Sequence, residues 1–428
     1  MDTIYAVSSG APPAAIAVLR LSGPRAFDAA RMLAGDLPAP RRAGLRALHD
    51  PANGELLDRA LILLFPGPRS ASGEDLAELH LHGGRAVVRA VEAALGAIKG
   101  LRAAEPGEFT RRALLNGRLD LSEAEGLGDL LMAETEAQRR VAVRAAEGGI
   151  RREVEGWTRR LLQLAAQVEA QLDHADEDDV TEGADSLAGI RAAATILAED
   201  IARITARPPV ERLRDGLRVV LAGPPNAGKS TLLNAMAGRE AAIVSAIAGT
   251  TRDRIEIPVV RDGIAWLLID TAGLAEQTAD PIEAIGIDRA RAALEEADIV
   301  LWLGDDSPPP RPTTLWLHPR ADLAGPAPSG RDLAVSALTG LGLDQLWVHL
   351  GALATALLPP PDQLALNRRQ CQLAENAAAA LNRAALQQDL LLLAEELRSA
   401  RRAFDAITGR ADVEAMLDAL FSRFCIGK

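Results

Sequence analysis

The eight residues Gly223-Pro224-Pro225-Asn226-Ala227-Gly228-Lys229-Ser230 constrain this chain more than any other segment. They fit G-x-x-x-x-G-K-[ST], follow the apolar run Leu217–Ala222 and precede a helical pattern. That context makes the pattern a phosphate-binding loop. Glycines let backbone N–H groups turn inward around phosphates, and the helix N-terminus adds positive potential. Lys229 is placed to reach the β- and γ-phosphates, and the Ser230 hydroxyl to ligate magnesium. A strand feeding such a loop predicts a parallel-rich sheet wrapped by helices. Further strands are expected at Ala265–Ile269, Ile299–Leu303, Thr314–Leu317 and Leu333–Val335, alternating with helices.

The downstream motifs indicate guanine. Asp270-Thr271-Ala272-Gly273 closes the next strong strand; Asp270 suits a magnesium shell and the Gly273 N–H a γ-phosphate. Gly249-Thr250-Thr251-Arg252-Asp253 lies where a switch loop belongs, with Thr251 able to close over magnesium. Ser336-Ala337-Leu338 fits the last guanine-contacting motif. The base-reading motif is degraded: Pro319-Arg320-Ala321-Asp322 stands where Asn-Lys-x-Asp is expected, leaving Asp322 to pair with the guanine N–H donors. Leu274 stands where many switch GTPases place a water-orienting Gln, and a leucine cannot hydrogen-bond water. The Asn226 side-chain oxygen suits a monovalent cation beside the phosphates.

The flanks belong to other domains. A chain of 428 residues exceeds one hydrophobic core. Residues 1–118 mix strands (Ala15–Leu21, Arg59–Phe65) with a helix at 85–98, an α+β segment. Residues 119–212 are helical: Val154, Trp157, Leu161, Leu164, Val168 and Leu172 form an apolar stripe, and Ser122 with Glu125 fits a capping box. The acidic stretch from Asp173 to Glu182 reads as a solvated loop. A nucleotide-binding domain spans 213–360. Residues 361–428 return to helix, with a stripe at Val413, Met416, Leu417, Leu420 and Phe424, so the nucleotide domain is inserted between helical segments that pack together. The leucine run 390–393 reads as core, and the Arg-Arg pairs, Arg111-Arg112 among them, mostly as solvated faces. His80 and His82 read as structural rather than metal-binding. The net charge of −12 argues against nucleic-acid binding through the overall field. Two cysteines, no signal peptide and no membrane-length apolar run point to the cytoplasm.

Taken together, the segments outside the G motifs resemble the MnmE (TrmE) family of tRNA-modification GTPases, over essentially the whole chain. The resemblance rests on Asp2-Thr3-Ile4, Leu19-Arg20-Leu21-Ser22-Gly23, Ser72-Gly73-Glu74-Asp75, His82-Gly83-Gly84, Pro106–Ala113, Asn116–Glu125 and the terminal Phe424-Cys425-Ile426-Gly427-Lys428. It implies an N-terminal folate-binding dimerisation domain, a helical domain and an inserted Ras-like G domain. It implies a homodimer that works with an FAD-dependent flavoprotein, MnmG (GidA), in a heterotetramer or larger complex. Their joint product is an aminomethyl or carboxymethylaminomethyl group on the wobble uridine of tRNA, with the carbon drawn from 5-formyl- or 5,10-methylene-tetrahydrofolate.

By the same resemblance, K+ is held by Asn226, Ser245, Ile247 and Thr250, and Mg2+ by Ser230 and Thr251. GTP is contacted by Asn226, Ala227, Gly228, Lys229, Ser230, Thr231, Ser245, Ala246, Ile247, Ala248, Gly249, Thr250, Thr251, Asp270, Thr271, Ala272, Gly273, Asp322, Ser336, Ala337 and Leu338. Glu283 matches the catalytic glutamate that helps position water, and Cys425 a C-terminal cysteine tied to modification. Arg20, Glu78, Arg118 and Lys428 match folate contacts; Arg118 stands where the family often has Lys, and residues 10–15 depart from the family's opening. The alternatives are a ribosome-assembly or RNA-binding switch GTPase, whose expected basic appendage is not seen here, and a GTPase that binds nucleotide without turnover.

Overall fold

The computed structural model describes residues 2–174, 183–238, 256–271, 291–311, 313–323, 328–360 and 362–410, together with Phe421, Phe424 and Gly427. It falls into two compact units, Met1–Gly128 with Ala145–Gly156 and Phe404–Lys428, and Asp129–Arg144 with Trp157–Ala403.

The first unit is built on a sheet of β1 (Thr3–Val7), β2 (Ile16–Ser22), β3 (Gly44–His49), β4 (Leu56–Phe65), β5 (Leu76–His82) and β6 (Leu101–Ala103), in the order β3-β4-β5-β2-β1-β6. All pairs are antiparallel except β1 with β6. Period-two alternation decides its faces. Ala17, Leu19 and Leu21 of β2, and Ala77, Leu79 and Leu81 of β5, are buried with α1 (Ala26–Ala34) and α2 (Arg85–Gly96). Their neighbours Val18, Arg20, Glu78 and His80 point to the other face. Near β1, α3 (Glu108–Leu115) contributes Phe109 to a small cluster with Ile4, Ala6 and Ala104.

Next comes α4 (Leu121–Met132), whose N-terminal box differs from the expected Ser122–Glu125 pair. Asp120 Oδ1 accepts from the Glu123 N–H at 2.8 Å, and Glu123 Oε2 accepts from the Asp120 N–H at 2.8 Å. Ser122 instead donates to Asp120 at 2.7 Å. The helix therefore starts two residues earlier than the serine suggested. Phe421 and Phe424 pack on Leu121 and Ala124. The stripe residues Val413, Met416, Leu417 and Leu420 lie outside the described residues.

In the second unit, α7 (Gly183–Thr205) lies against α11 (Arg368–Leu386), with Arg191 Nε donating to the Ala385 carbonyl at 2.6 Å. Between them, the Val210 N–H donates to the Leu366 carbonyl at 3.1 Å, joining the chain where it enters and leaves the nucleotide fold. In α6 (Gly149–His174) the stripe Val154, Trp157, Leu161, Leu164 and Val168 is buried as its spacing predicts. In α12 (Leu390–Thr408) only Leu393 of the leucine run is fully buried; Leu391 and Leu392 are exposed, because consecutive helical positions face in different directions.

The nucleotide fold is a sheet in the order β12-β11-β10-β7-β9-β8: β7 (Leu217–Ala222), β8 (Glu256–Arg261), β9 (Ile264–Asp270), β10 (Ile299–Trp302), β11 (Thr314–His318) and β12 (Leu333–Ala334). Every described pairing is parallel except the β8–β9 hairpin, which turns at Asp262-Gly263. On one face, α9 (Lys229–Ala237) and α10 (Leu343–Leu357) bury Leu232, Leu233, Leu346 and Leu350 against Val219, Leu221, Leu301 and Leu317. The expected strand–helix alternation fails between β10 and β11. Their Pro-rich connection, residues 303–313, carries no helix among its described residues, although parallel neighbours usually need a helical crossover. Arg331 seals this edge. It lies over the Trp316 ring at 4.4 Å and donates to the carbonyls of Gly304 and Leu317.

Candidate functional site

The phosphate loop runs from the end of β7 to the start of α9. Gly223 has φ +148°, and a Cβ there would sit 3.1 Å from the Gly304 nitrogen and the Leu303 carbonyl carbon, so the loop needs glycine to leave the sheet. Asn226 holds φ +60°, uncommon outside glycine, and Gly228 caps α9 at φ +96° with no side-chain hydrogen bond. The first-turn N–H groups of α9 thus face the loop without a capping side chain. Lys229 is buried and folds back, its Nζ donating to the carbonyls of Gly223 at 3.0 Å and Pro224 at 2.8 Å. The ammonium is therefore held at the loop's mouth. Ala227 donates its N–H to Pro224 at 3.3 Å, and Thr231 is exposed on α9.

Strand pairing brings the second motif to this loop. Asp270, fully buried at the end of β9, is paired with Leu221 of β7, and Thr271 Oγ1 donates to the Leu221 carbonyl at 2.8 Å. Ser230 Oγ donates to Asp270 Oδ2. A hydroxyl and a carboxylate, both hard oxygen donors, thus meet beside the lysine, a donor set that fits Mg2+. Ser245, Ala246, Ile247, Ala248, Gly249, Thr250, Thr251, Ala272, Gly273 and Glu283 lie outside the described residues.

The segment expected to read the base is joined to the phosphate loop by a residue for which the sequence offered no role. Arg320 adopts φ +55° and its Nη2 donates to the Asn226 carbonyl. Its Nε is the nearest atom to a Cβ built on Gly228, at 3.8 Å. The arginine that departs from the expected motif therefore braces the phosphate loop. The signal available in the sequence was a long cation two positions before Asp322. Asp322 is exposed, and the Ala321 N–H donates to the Val335 carbonyl at 3.1 Å, setting it beside the last motif. There Ser336 is buried, its Oγ accepting from the Thr339 N–H at 3.2 Å; Ala337 is half-buried and Leu338 is exposed.

A second constellation occupies the face of the first unit's sheet opposite α1 and α2. Arg20 and Glu78 are cross-strand partners, with Nε donating to Oε1 at 2.8 Å. Arg118 is not joined to them by a described contact; its Nε donates to the Ser70 carbonyl at 3.2 Å. Lys428 and Cys425 lie outside the described residues. Gly427, between them, is placed: Ser8 Oγ donates to its carbonyl at 2.6 Å, and the Ser8 N–H donates to the Val18 carbonyl at 2.7 Å. Gly427 thus lies against the end of β1, the neighbour of the strand that carries Arg20. His80 contacts Glu78 at 3.2 Å and His82 contacts Asp58 at 2.7 Å; among the described residues no group of three metal-ligating side chains forms.

Beside it runs an ion network that sequence spacing did not reveal. Arg112, only 11% exposed, bonds Asp2, Glu74 and Glu108, so it is not a solvated helix-face residue as its pairing with Arg111 suggested. Arg102 bonds Asp2 and Glu108. Burial opposes ionisation of Glu108, but hydrogen bonds from Arg102, the Glu105 N–H and Arg112 outweigh it and hold its carboxyl below the usual range. The hydrogen bond from Arg102 does the same for Asp2. Ser22 extends the network by bonding Ser72 at 2.6 Å and Glu74 at 2.7 Å.

Comparison with known proteins extends these findings to the whole chain. A family model described as GTP-binding protein TrmE N-terminus matches residues 3–118, and one described as MnmE helical domain matches residues 121–425. A curated relative from Rhizorhabdus wittichii, named tRNA modification GTPase MnmE, is 57% identical over 429 residues, covering 100% of this chain and 97% of its own. Relatives of the same name from Erythrobacter litoralis and Novosphingobium aromaticivorans are 56% and 54% identical, each covered in full, as is this chain. No helix among the described residues is long and apolar enough to cross a membrane.

Proposed function

The chain belongs to the tRNA modification GTPase MnmE family, and from that premise we propose that it hydrolyses GTP in support of wobble-uridine modification. The observation that carries the hydrolytic reading is the meeting of Lys229, Ser230 and Asp270 at the ends of β7 and β9. Lys229 holds the β- and γ-phosphates. Ser230 and Asp270, with Thr251, hold Mg2+, which when bound neutralises charge developing on the transferred phosphoryl group. Asp322 reads guanine and Arg320 fixes the loop that cradles the phosphates. Because Leu274 cannot orient water, Glu283 takes that task. Asn226, Ser245, Ile247 and Thr250 hold K+, which supplies positive charge where an arginine finger would otherwise act, and G-domain dimerisation completes that site.

The modification reading adds a tetrahydrofolate, held by Arg20, Glu78, Arg118 and Lys428, as one-carbon source. Carboxylate-bearing ligands pair with Arg and Lys, and a pteridine ring presents N–H donors to a carboxylate such as Glu78. The ion pair of Arg20 with Glu78 beside the docked Gly427 supports it. Cys425 works in the modification step, the protein acts in the cytoplasm as a homodimer, and the FAD-dependent partner and tRNA complete the complex. The test is GTP turnover by the purified chain with and without Mg2+, alongside Ser230→Ala and Asp270→Asn. The reading expects each variant to lose at least tenfold in kcat/KM with folding intact. Wild-type turnover without Mg2+, or turnover of ATP as fast as GTP, would contradict it.

A further inference from the structure

The sheet face opposite α1 and α2 carries the Arg20–Glu78 pair and continues past it toward the loop between β4 and β5. Leu63 of β4 stands across from Glu78, and Phe65, two residues on, shares its face. By strand spacing and rise, Phe65 Cα lies about 8 Å diagonally from Glu78 Cα. There the Arg41 guanidinium lies over the Phe65 ring, 5.7 Å from its centroid, and its Nη2 donates to the Arg69 carbonyl. The next carbonyl, that of Ser70, accepts from Arg118 Nε at 3.2 Å. Arg69 itself is exposed, as are Arg41 and Arg118. Three arginines from separate stretches of chain thus converge on one short loop.

These three differ from the arginines around them in having no acidic partner. Arg20, Arg46, Arg102 and Arg112 each bond a carboxylate. Arg41, Arg69 and Arg118 form no ion pair among the described residues, and Arg41 and Arg118 are anchored by backbone carbonyls instead. The loop's own carboxylates are engaged elsewhere: Asp75 Oδ1 accepts from the Gly67 N–H at 2.9 Å, and Glu74 is held by Arg112 and Ser22. A carbonyl anchor fixes a guanidinium without neutralising it, and Arg118 keeps its terminal amino groups for a carboxylate fork. Arg41 takes φ +61°, uncommon for a residue other than glycine, and such positions gather at ligand clamps.

We propose that Arg41 and Arg69 form, next to Arg118, a subsite for the extra carboxylates of a folate that carries a γ-linked oligoglutamate tail. The proposal rests on the folate reading of Arg20, Glu78 and Arg118, and it names the form of the ligand. A folate has a pteridine at one end and glutamate at the other. A pteridine edge held at Glu78 leaves the glutamate end free to reach the loop beyond Phe65, where Arg118 takes the first glutamate and Arg41 and Arg69 those that follow. Each further glutamate adds one negative charge, which cations already neutralised by a carboxylate attract far less. The chain carries a net charge of −12, so an anionic tail is drawn only where unpaired cations are concentrated. The same charge disfavours the long phosphate backbone of an RNA, which would extend past three arginines onto a chain of its own sign.

The experiment is calorimetric titration of the full chain with 5-formyltetrahydrofolate bearing one or three glutamates, at low and high salt, with unmodified tRNA titrated in parallel. At low salt the wild type should bind the triglutamate roughly fivefold more tightly than the monoglutamate, the worth of two exposed charge pairs. That margin should shrink as salt screens the pairs. In the double variant Arg41→Ala, Arg69→Ala the two forms should bind within about twofold of each other. The double variant Arg41→Lys, Arg69→Lys should keep part of the margin, because lysine retains the charge without the planar fork. Equal affinity of the wild type for both forms, or a margin that survives the alanine variant, would overturn the tail subsite. Equal affinity together with tRNA binding lost in the alanine variant would overturn it in favour of a phosphate-binding surface. Absence of wild-type binding to either form would instead overturn the folate reading.

Discussion

Replacing Gly427 with alanine should separate the two sites. Gly427 holds φ +95°, and a Cβ there would lie 2.0 Å from the Val7 carbonyl oxygen and 3.0 Å from Ser8 Cα. Ordinary C···O contacts need about 3.3 Å. The tail must therefore withdraw by about 1.3 Å, which opens the 2.6 Å Ser8–Gly427 hydrogen bond beyond bonding range. Losing that bond costs about 1 kcal/mol, and a left-handed alanine adds about 1 kcal/mol more. Together they are about 2 kcal/mol, a shift of roughly thirtyfold against docking of the terminal residues. Phe421 and Phe424 remain anchored on Leu121 and Ala124, so the fold should survive. Calorimetric titration should show 5-formyltetrahydrofolate affinity down at least tenfold, with GTP turnover and melting temperature close to wild type. Unchanged folate affinity would refute the placement of the C-terminus in that site. Lost GTP turnover would refute the independence of the two.

Three further outcomes follow from the geometry. Arg320→Ala removes the brace on Asn226 at an exposed position, worth about 1 kcal/mol, so GDP release measured with a fluorescent analogue should quicken roughly five- to tenfold. Arg320→Lys should restore part of the difference, because lysine keeps the charge without the planar fork. Asp2 and Glu108 have depressed carboxyl pKa values, so the stability they contribute is complete above their unfolded values of about 3.9 and 4.3 and is lost as pH falls through the folded ones. Acid unfolding followed by circular dichroism should accordingly begin at higher pH in Arg102→Ala than in the wild type.

Much of the nucleotide fold was legible because its signals are local. A Gly-rich loop between an apolar strand and a helix fixes its own geometry, and β7, β9, β10, β11 and β12 lie within a residue or two of the apolar runs that announce them. The edge strand β8 went unread: it alternates weakly, and only its Asp262-Gly263 turn marks the hairpin. The box at Asp120 was misplaced because serine and aspartate, two residues apart, both fit the pattern. Contacts across long stretches of chain left no trace. Asp2 meets Arg102 and Arg112, and Arg320 meets Asn226, through register that no window of sequence contains. The same holds for the Arg20–Glu78–His80 trio. The pairing of β2 with β5 sets Arg20 opposite Glu78, with His80 two residues along the same strand.

The most direct test of the account is GTP turnover by the purified chain in potassium against sodium at matched ionic strength, with Asn226→Ala beside the wild type. The account predicts faster turnover in potassium, abolished by the substitution while nucleotide binding persists. Equal rates in both salts would contradict it and remove the cation from the mechanism.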